Sequence, residues 1–292
     1  MKQNILITGS SGFIGKNLVE KLKDKYELLT PPHSELELTN SITVKDYFKC
    51  HKIDTVIHCA SRLEKGRRES DKNHNIVKEN LQMFFNILNN STEYNKLINC
   101  GTGGEYGREF EVKKVKETEF DKNIPREDYS FSKYIISKYI ENSQNKVINL
   151  RLFAVFGKYE DYNSRFISNA ICKNILNLPI TIKQNVFFDY IYVNDIVRIM
   201  EYFIQKNPSE KIYNVGTGKP IDLLTLAKKI NQIGDFESKI IIEKEGLNKE
   251  FSCDNKKLIN EIRDFEFTSI DKAIKNLYEY YKENIKNLNL KN

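Results

Sequence analysis

Apolar and polar positions change period along this chain. Short runs rich in β-branched residues, Asn4–Thr8, Glu27–Thr30 and Thr55–His58, alternate with longer stretches of helical period, Lys16–Lys25 and Ile42–His51. The alternation continues through a helix at Ile76–Asn90, a strand at Lys96–Asn99, a helix at Ser130–Asn145 and a strand at Val147–Phe153. It predicts an α/β fold, a doubly wound parallel sheet with helices on both faces. Beyond residue 157 the pattern loosens into a helix at Arg165–Asn177, a short strand at Ile180–Ile182, the segment Asp189–Ile204, a strand at Ile212–Val215 and a helix at Leu223–Ile233. With no Pro/Gly/Ser-rich linker and no internal repeat, residues 1–157 read as one domain. Residues 158–292 read as a smaller C-terminal α/β lobe, partly interleaved with it.

Glycines punctuate the first strand-to-helix junction, Ile5-Leu6-Ile7-Thr8-Gly9-Ser10-Ser11-Gly12-Phe13-Ile14-Gly15. Gly9 permits the tight turn, Gly12 lets a pyrophosphate approach the backbone, and Gly15 lets the helix pack close to the strand, so that free N–H groups face the phosphates. The first domain is therefore expected to be a Rossmann domain that binds a dinucleotide. Such sites select their cofactor after the second strand, where a carboxylate favours NAD and repels a 2′-phosphate. Here Pro31-Pro32-His33-Ser34 follows. His33 and Ser34 are potential phosphate donors, so NADP(H) is favoured and NAD(H) stays possible.

Tyr129 and Lys133 stand four residues apart at the start of the Ser130–Asn145 helix, on one face. An ammonium held near a phenol, together with the positive ring of an oxidised nicotinamide, favours the phenolate and suits the pair to general acid/base work. Tyr134 and Lys138 repeat the spacing one register later, so spacing alone does not choose between them. The strand Lys96–Asn99 runs into Cys100-Gly101-Thr102-Gly103-Gly104-Glu105-Tyr106-Gly107, which places the Thr102 hydroxyl at the carboxyl edge of a central strand, where open α/β sheets bind ligands. There it would hold a carbonyl oxygen while Tyr129 exchanges the proton.

Charge changes this picture little. Lys and Arg exceed Asp and Glu by 46 to 40, a formal charge of +6, but the signs are interspersed, which argues against nucleic acid and suits a small anionic ligand. Cys50, Cys59, Cys100, Cys172 and Cys253 form no CxxC pair; none is assigned to a metal or a disulfide, and they read as reduced thiols. No apolar run approaches the roughly 20 residues that cross a bilayer, and the chain passes from Met1 straight into a strand, so a cytoplasmic protein is expected.

Taken together, Gly9-x-x-Gly12-x-x-Gly15, Thr102 followed by Tyr106-Gly107, and Tyr129-x-x-x-Lys133 resemble the extended short-chain dehydrogenase/reductase family, in its nucleotide-sugar epimerase, dehydratase and reductase branch. Further matches cover nearly the whole chain: His58-Cys59-Ala60-Ser61, Asn80, Arg151 to Gly157, Asp189 to Asp195, and Asn214 to Gly218. The resemblance implies Tyr129 as the acid/base, Lys133 on the nicotinamide ribose, Thr102 on the reacting sugar oxygen and Asn80 ordering the cofactor site. It also implies cofactor contacts from Gly9, Ser11, Gly12, Phe13, Ile14, Gly15, His33, Ser34, Leu38, Cys59, Ala60, Ser61 and Phe153. A nucleotide-diphosphate sugar would lie between Gly103-Gly104 and the C-terminal lobe. The family usually has Asn at position 154 and Arg at position 188, both on the substrate diphosphate; Ala154 and Phe188 stand here, and Arg165 or Lys183 are candidate substitutes. A homodimer through the helices at Ile76–Asn90 and Ser130–Asn145 is the family's expectation.

The branch's dehydratases carry Asp-Glu directly after the catalytic hydroxyl residue, and its fucose-type epimerase-reductases carry Cys two places after it; Gly103 and Gly104 stand there instead. Simple hydride chemistry remains. The stretch Ser34 to Asn40 is similar to that of NADPH-dependent 4-keto-deoxysugar reductases. The first expectation is thus a 4-keto reductase acting on a nucleotide-activated deoxysugar for a cell-surface polysaccharide. An NAD-dependent 4-epimerase is the alternative, and a non-catalytic dinucleotide sensor the third reading.

Overall fold

The computed structural model describes residues 2–63, 75–287 and 290. Its first half runs β1 (Asn4–Thr8), α1 (Phe13–Leu22), β2 (Glu27–Leu29), α2 (Ser41–Cys50), β3 (Thr55–His58), α3 (Ile76–Leu88), β4 (Lys96–Thr102), β5 (Val112–Val115), α4 (Asp128–Asn142) and β6 (Val147–Leu152). It continues through β7 (Val155–Phe156), α5 (Phe166–Ile175), β8 (Ile180–Asn185), β9 (Phe187–Phe188), β10 (Ile191–Tyr192), α6 (Val193–Gln205) and β11 (Ile212–Val215). The remainder is β12 (Ile221–Asp222), α7 (Leu223–Ile233), β13 (Ile240–Leu247), β14 (Phe251–Cys253), α8 (Lys256–Ile262) and α9 (Ile270–Glu283).

Six strands form a parallel sheet in the order β2-β1-β3-β4-β6-β11. Period-two alternation explains how it is covered. Ile5, Ile7, Ile57, Ile98, Ile148 and Leu150 point to one face, where α1 and α6 bring Leu18, Leu22, Ile196, Met200 and Phe203. The intervening Leu6, Val56, Leu97 and Val147 point to the other, against Val44, Phe48, Phe84, Ile87, Ile136 and Ile140 from α2, α3 and α4. Both faces are buried, so these strands read as continuous apolar runs. The chain turns outward from β1 to β2 and returns past β1 to β3, and this reversal opens a crevice at the carboxyl ends of β1 and β3.

A second core gathers Ile167, Ile171, Ile180, Ile182, Leu226, Ile230, Ile274 and Leu277 from α5, β8, α7 and α9. Val155 packs against both cores, and Asp189, fully buried, accepts hydrogen bonds from Thr217 N (2.7 Å), Thr217 Oγ1 (2.6 Å) and Gly218 N (2.9 Å), tying the β9–β10 turn to the end of β11. The Asp189 and Asn214–Gly218 motifs thus meet just past the large sheet's last strand.

Glu160, between β7 and α5, is buried with Ser168 Oγ donating to its carboxylate at 2.7 Å. Burial is the main influence on this carboxyl and raises it to about 7, against the opposing effects of Ser168 and Arg165. The unfolded chain releases this proton near the ordinary value of 4.5 whereas the folded chain keeps it to about 7, so stability declines as pH rises between those values. Glu160→Gln removes the decline: its melting temperature should exceed the wild type's at pH 8 by clearly more than at pH 4.5. Equal differences at both pH values in thermal denaturation contradict the assignment.

Candidate active site

The site forms along the carboxyl edge of β1, β3 and β4. At the first, Gly9 turns with φ of +67°, and Gly12 caps α1 with no side-chain cap, so the first N–H groups of the helix are left for a ligand. A Cβ on Gly15 would stand 2.2 Å from Gly9 O, and one on Gly9 would stand 2.7 Å from Ala60 N. The glycine turn is therefore compressed between α1 and the end of β3, leaving a cradle of bare backbone that fits a dinucleotide pyrophosphate. Ser11 is exposed and Phe13 and Ile14 half-buried at its rim.

From β3, His58 is buried and its Nδ1 lies 2.8 Å from Thr8 Oγ1. Burial, assisted by the charge of Lys133, lowers this imidazole to about 3, so it is neutral and serves as a strut between β1 and β3. Cys59, Ala60 and Ser61 follow, half-buried at the crevice. The Cys59 thiol stands 3.3 Å from that of Cys100, which, with burial, pushes Cys59 well above the ordinary thiol range.

The third strand brings the chemistry. Lys133 is buried and its Nζ donates to Cys100 O at 2.9 Å, pinning α4 to β4 two residues before Thr102. The same Nζ lies 5.9 Å from the centre of the Tyr129 ring, which is half-buried. Thr102 ends β4, and its Oγ1 accepts Gly104 N at 3.1 Å, which leaves the hydroxyl proton to point elsewhere. The competing pair is occupied otherwise: Tyr134 Oη and Lys138 Nζ both bind Asp121. Asn80 crosslinks the site, accepting Arg62 N at 2.7 Å and donating to Arg62 O (3.1 Å) and to Ser132 Oγ (3.0 Å). Ser132 Oγ in turn donates to Tyr129 O at 2.7 Å.

Around Thr102 the walls are apolar and tight. A Cβ on Gly103 would stand 2.8 Å from Phe251 and 2.9 Å from Phe153, and one on Gly104 would stand 2.6 Å from Ser130 Oγ. Phe153 is buried against Phe251, with ring centres 5.0 Å apart, and Phe188 joins them 6.1 Å from Phe251. Phe188 thus adds to an aromatic wall where the resemblance expects a cation. Of the candidate substitutes, Arg165 is exposed at the N-cap of α5 and Lys183 is exposed on β8, which pairs with β13 in a separate sheet.

The end of β2 holds charge that the sequence reading missed. His33 Nε2 pairs with Glu37 at 2.6 Å, and Glu37 Oε1 accepts Thr39 Oγ1 (2.7 Å) and Thr39 N (2.9 Å). Burial opposes the charge on Glu37, yet Thr39, His33 and Arg62 together hold its carboxyl below the ordinary range. Ser34 is exposed and Leu38 buried in the same loop. Arg62, directly after Cys59-Ala60-Ser61, pairs with Glu79 at 2.9 Å and brings a guanidinium to this corner. Its position just past β3 was the available signal.

A family model described as the NAD dependent epimerase/dehydratase family matches residues 5–216. The chain belongs to this family. Among curated relatives it is similar to GDP-L-colitose synthase of Yersinia pseudotuberculosis, 26% identical over 82% of this chain and 85% of that one. It is also similar to dTDP-4-dehydro-6-deoxyglucose reductase of Escherichia coli, 27% identical over 78% and 81%. Its fold is that of a GDP-mannoheptose C4 reductase from Campylobacter jejuni solved with NADP bound, at a TM-score of 0.79, 22% identity and 96% and 98% coverage. The UDP-glucose 4-epimerase of Thermotoga maritima, solved with UDP-glucose, has a TM-score of 0.78 at 23% identity and 97% and 100% coverage. The extended short-chain dehydrogenase/reductase membership and the Rossmann α/β fold expected from the sequence are both correct.

Because a methyl on Gly15 has nowhere to go, Gly15→Ala should cost about 1–3 kcal/mol of stability and weaken dinucleotide binding. Thermal melting and a fluorescence titration with NADPH and NADH check this, and an unperturbed Tm would refute the close packing of α1 on β1.

Proposed function

We propose that this protein is an NADP(H)-dependent reductase of the 4-keto group of a nucleotide-activated deoxysugar. The observation that carries this reading is the packing around Thr102: Gly103 and Gly104 are pressed against Phe251, Phe153 and Ser130, so neither an added acid pair nor a cysteine fits behind the hydroxyl without displacing them. What is left at the edge of β4 is Thr102, Tyr129 and Lys133, a set suited to hydride exchange at one carbon. The name of one relative, dTDP-4-dehydro-6-deoxyglucose reductase, supports it.

The glycine cradle, the segment Cys59-Ala60-Ser61 and Asn80 would hold the dinucleotide, which when bound supplies a hydride. Thr102 donates its free hydroxyl proton to the C4 oxygen and orients the carbonyl. Tyr129 transfers its proton to that oxygen as negative charge builds there. Lys133, fixed on Cys100 O, stabilises the phenolate that remains. His33 and Arg62 stand where they would meet a 2′-phosphate, which favours NADP(H). Glu37 is the observation on the other side: its carboxylate against His33 suits a ribose hydroxyl and supports the second reading, an NAD-dependent 4-epimerase working with the same three residues.

The C-terminal lobe is proposed to take the sugar nucleotide against the Phe153, Phe188 and Phe251 wall. We further propose a homodimer through α3 and α4, where Tyr139 is exposed beside Phe85, and a cytoplasmic role in making cell-surface polysaccharide precursors. Among the described residues no helix is long and apolar enough to cross a membrane.

Tyr129→Phe should reduce turnover of dTDP- or GDP-linked 4-keto-6-deoxyhexoses by about 100-fold or more while leaving cofactor affinity within a few-fold. Unchanged turnover in this variant removes Tyr129 from the mechanism. Tight NAD(H) retained through purification, with interconversion of 4-hydroxy epimers, would decide for the epimerase.

A further inference from the structure

We propose that Glu105, neutralised by a buried ion pair with Arg151, is the positioning residue that sets the Thr102 hydroxyl. The inference rests on the reading of Thr102 given above. Glu105 carries no assigned role in the sequence motif, yet among the described residues it is one of the most completely buried carboxylates, at 0% exposure. Placing a carboxylate there is unfavourable unless it is paired and its oxygens are hydrogen-bonded.

The two oxygens do different things. Oε1 accepts the backbone N–H of Thr102 at 2.9 Å, while Thr102 Oγ1 accepts Gly104 N, so the residue is fixed at both its main chain and its hydroxyl. Oε2 accepts Arg151 Nε at 2.7 Å and Asn149 Nδ2 at 3.4 Å. Arg151 comes from β6, the neighbour of β4, with Gly101 opposite Arg151 and Thr102 opposite Leu152. Its remaining donors reach Tyr106 Oη (3.0 Å) and Ser137 Oγ (2.7 Å), and the guanidinium carbon lies 4.0 Å from the centre of the Phe120 ring. β4, β6, the Gly103–Tyr106 turn and, through Ser137, α4 are thereby tied to this pair. Gly101 belongs to the same design, since a Cβ there would stand 2.5 Å from Glu105 Oε1 and push the carboxylate off Thr102.

Buried ion pairs are weak sources of stability and are often replaceable by apolar groups. A role in positioning predicts something more specific, that the oxygen facing Thr102 matters and the charge does not. Two charge-balanced double variants separate these. E105Q/R151M keeps a carbonyl acceptor for Thr102 N; E105M/R151M removes it. Both should melt within a few degrees of wild type and bind NADPH normally. E105M/R151M should lose about tenfold or more in kcat with little change in KM, and its Thr102 amide should exchange with deuterium faster, whereas E105Q/R151M should keep kcat within about threefold and retain the protected amide.

Equal kcat in both folded double variants and wild type overturns the proposal, as does an equal loss in both. If a double variant fails to fold, Glu105→Gln alone decides: Tm falls because Arg151 loses its partner, but kcat measured well below Tm stays within about threefold. A tenfold loss there counts against positioning. Thr102→Val distinguishes this failure from failure of the functional reading: full activity in Thr102→Val refutes the role of Thr102 itself. If the wild type turns over no 4-keto sugar, the substrate reading fails and the Thr102 amide exchange decides the positioning.

Discussion

A buried ammonium has to find a partner, and Lys133 donates to the carbonyl of Cys100. With the packing of Ile136 and Ile140, that hydrogen bond ties α4 to the carboxyl end of β4 and sets the relation between a helix residue, Tyr129, and a strand residue, Thr102. Much of the surroundings serves it. Burial, helped by the charge of Lys133, keeps the neighbouring His58 neutral, so that the imidazole braces β1 against β3 without adding a competing charge. Asn80 and Ser132 hold the first turn of α4 from the side of α3. The sheet order places all of this beside the β1–β3 crevice, so a ligand seated on the glycine turn of α1 lies next to the same edge.

The parts of this arrangement legible in the sequence are those governed by local periodicity. β1, β3, β11 and α7 fall on the predicted residues, and the glycine turn, Thr102 and the Tyr129–Lys133 pair stand on the elements expected of them. What was not legible depends on long-range pairing. β13 is largely exposed and owes its existence to β8, and the three-residue β14 to β5 and β9. The pair at the end of β2 was missed for a different reason: Glu37 lies only four residues from His33, but the loop between β2 and α2 has no regular period from which the contact could be read. Glu105 and Arg151, 46 residues apart, carry no local signal of being a pair. The ambiguity between two Tyr–Lys registers also needed three dimensions, since only the fold shows Asp121 claiming Tyr134 and Lys138.

Specificity in this fold comes from what lines the edge rather than from the edge itself. Close packing at Gly103 and Gly104 removes room for extra acids, and Phe153, Phe188 and Phe251 form an aromatic surface where the resemblance led one to expect a cation. Both features favour a reaction that needs one oxygen polarised and one proton delivered. Arg62, Glu37 and His33 bring charges of both signs to the end of β2, and the proposed choice between the two nicotinamide cofactors rests on them.

Transfer of isotope from cofactor to sugar tests this account most directly. The protein would be incubated with NADPH carrying deuterium at C4 of the nicotinamide and a dTDP- or GDP-linked 4-keto-6-deoxyhexose, and the product examined by mass spectrometry and proton NMR. The account predicts one deuterium, bound at C4 of the sugar, with one NADPH oxidised for each sugar reduced. Deuterium absent from the sugar, with the NADPH unconsumed under conditions where it binds, would contradict it.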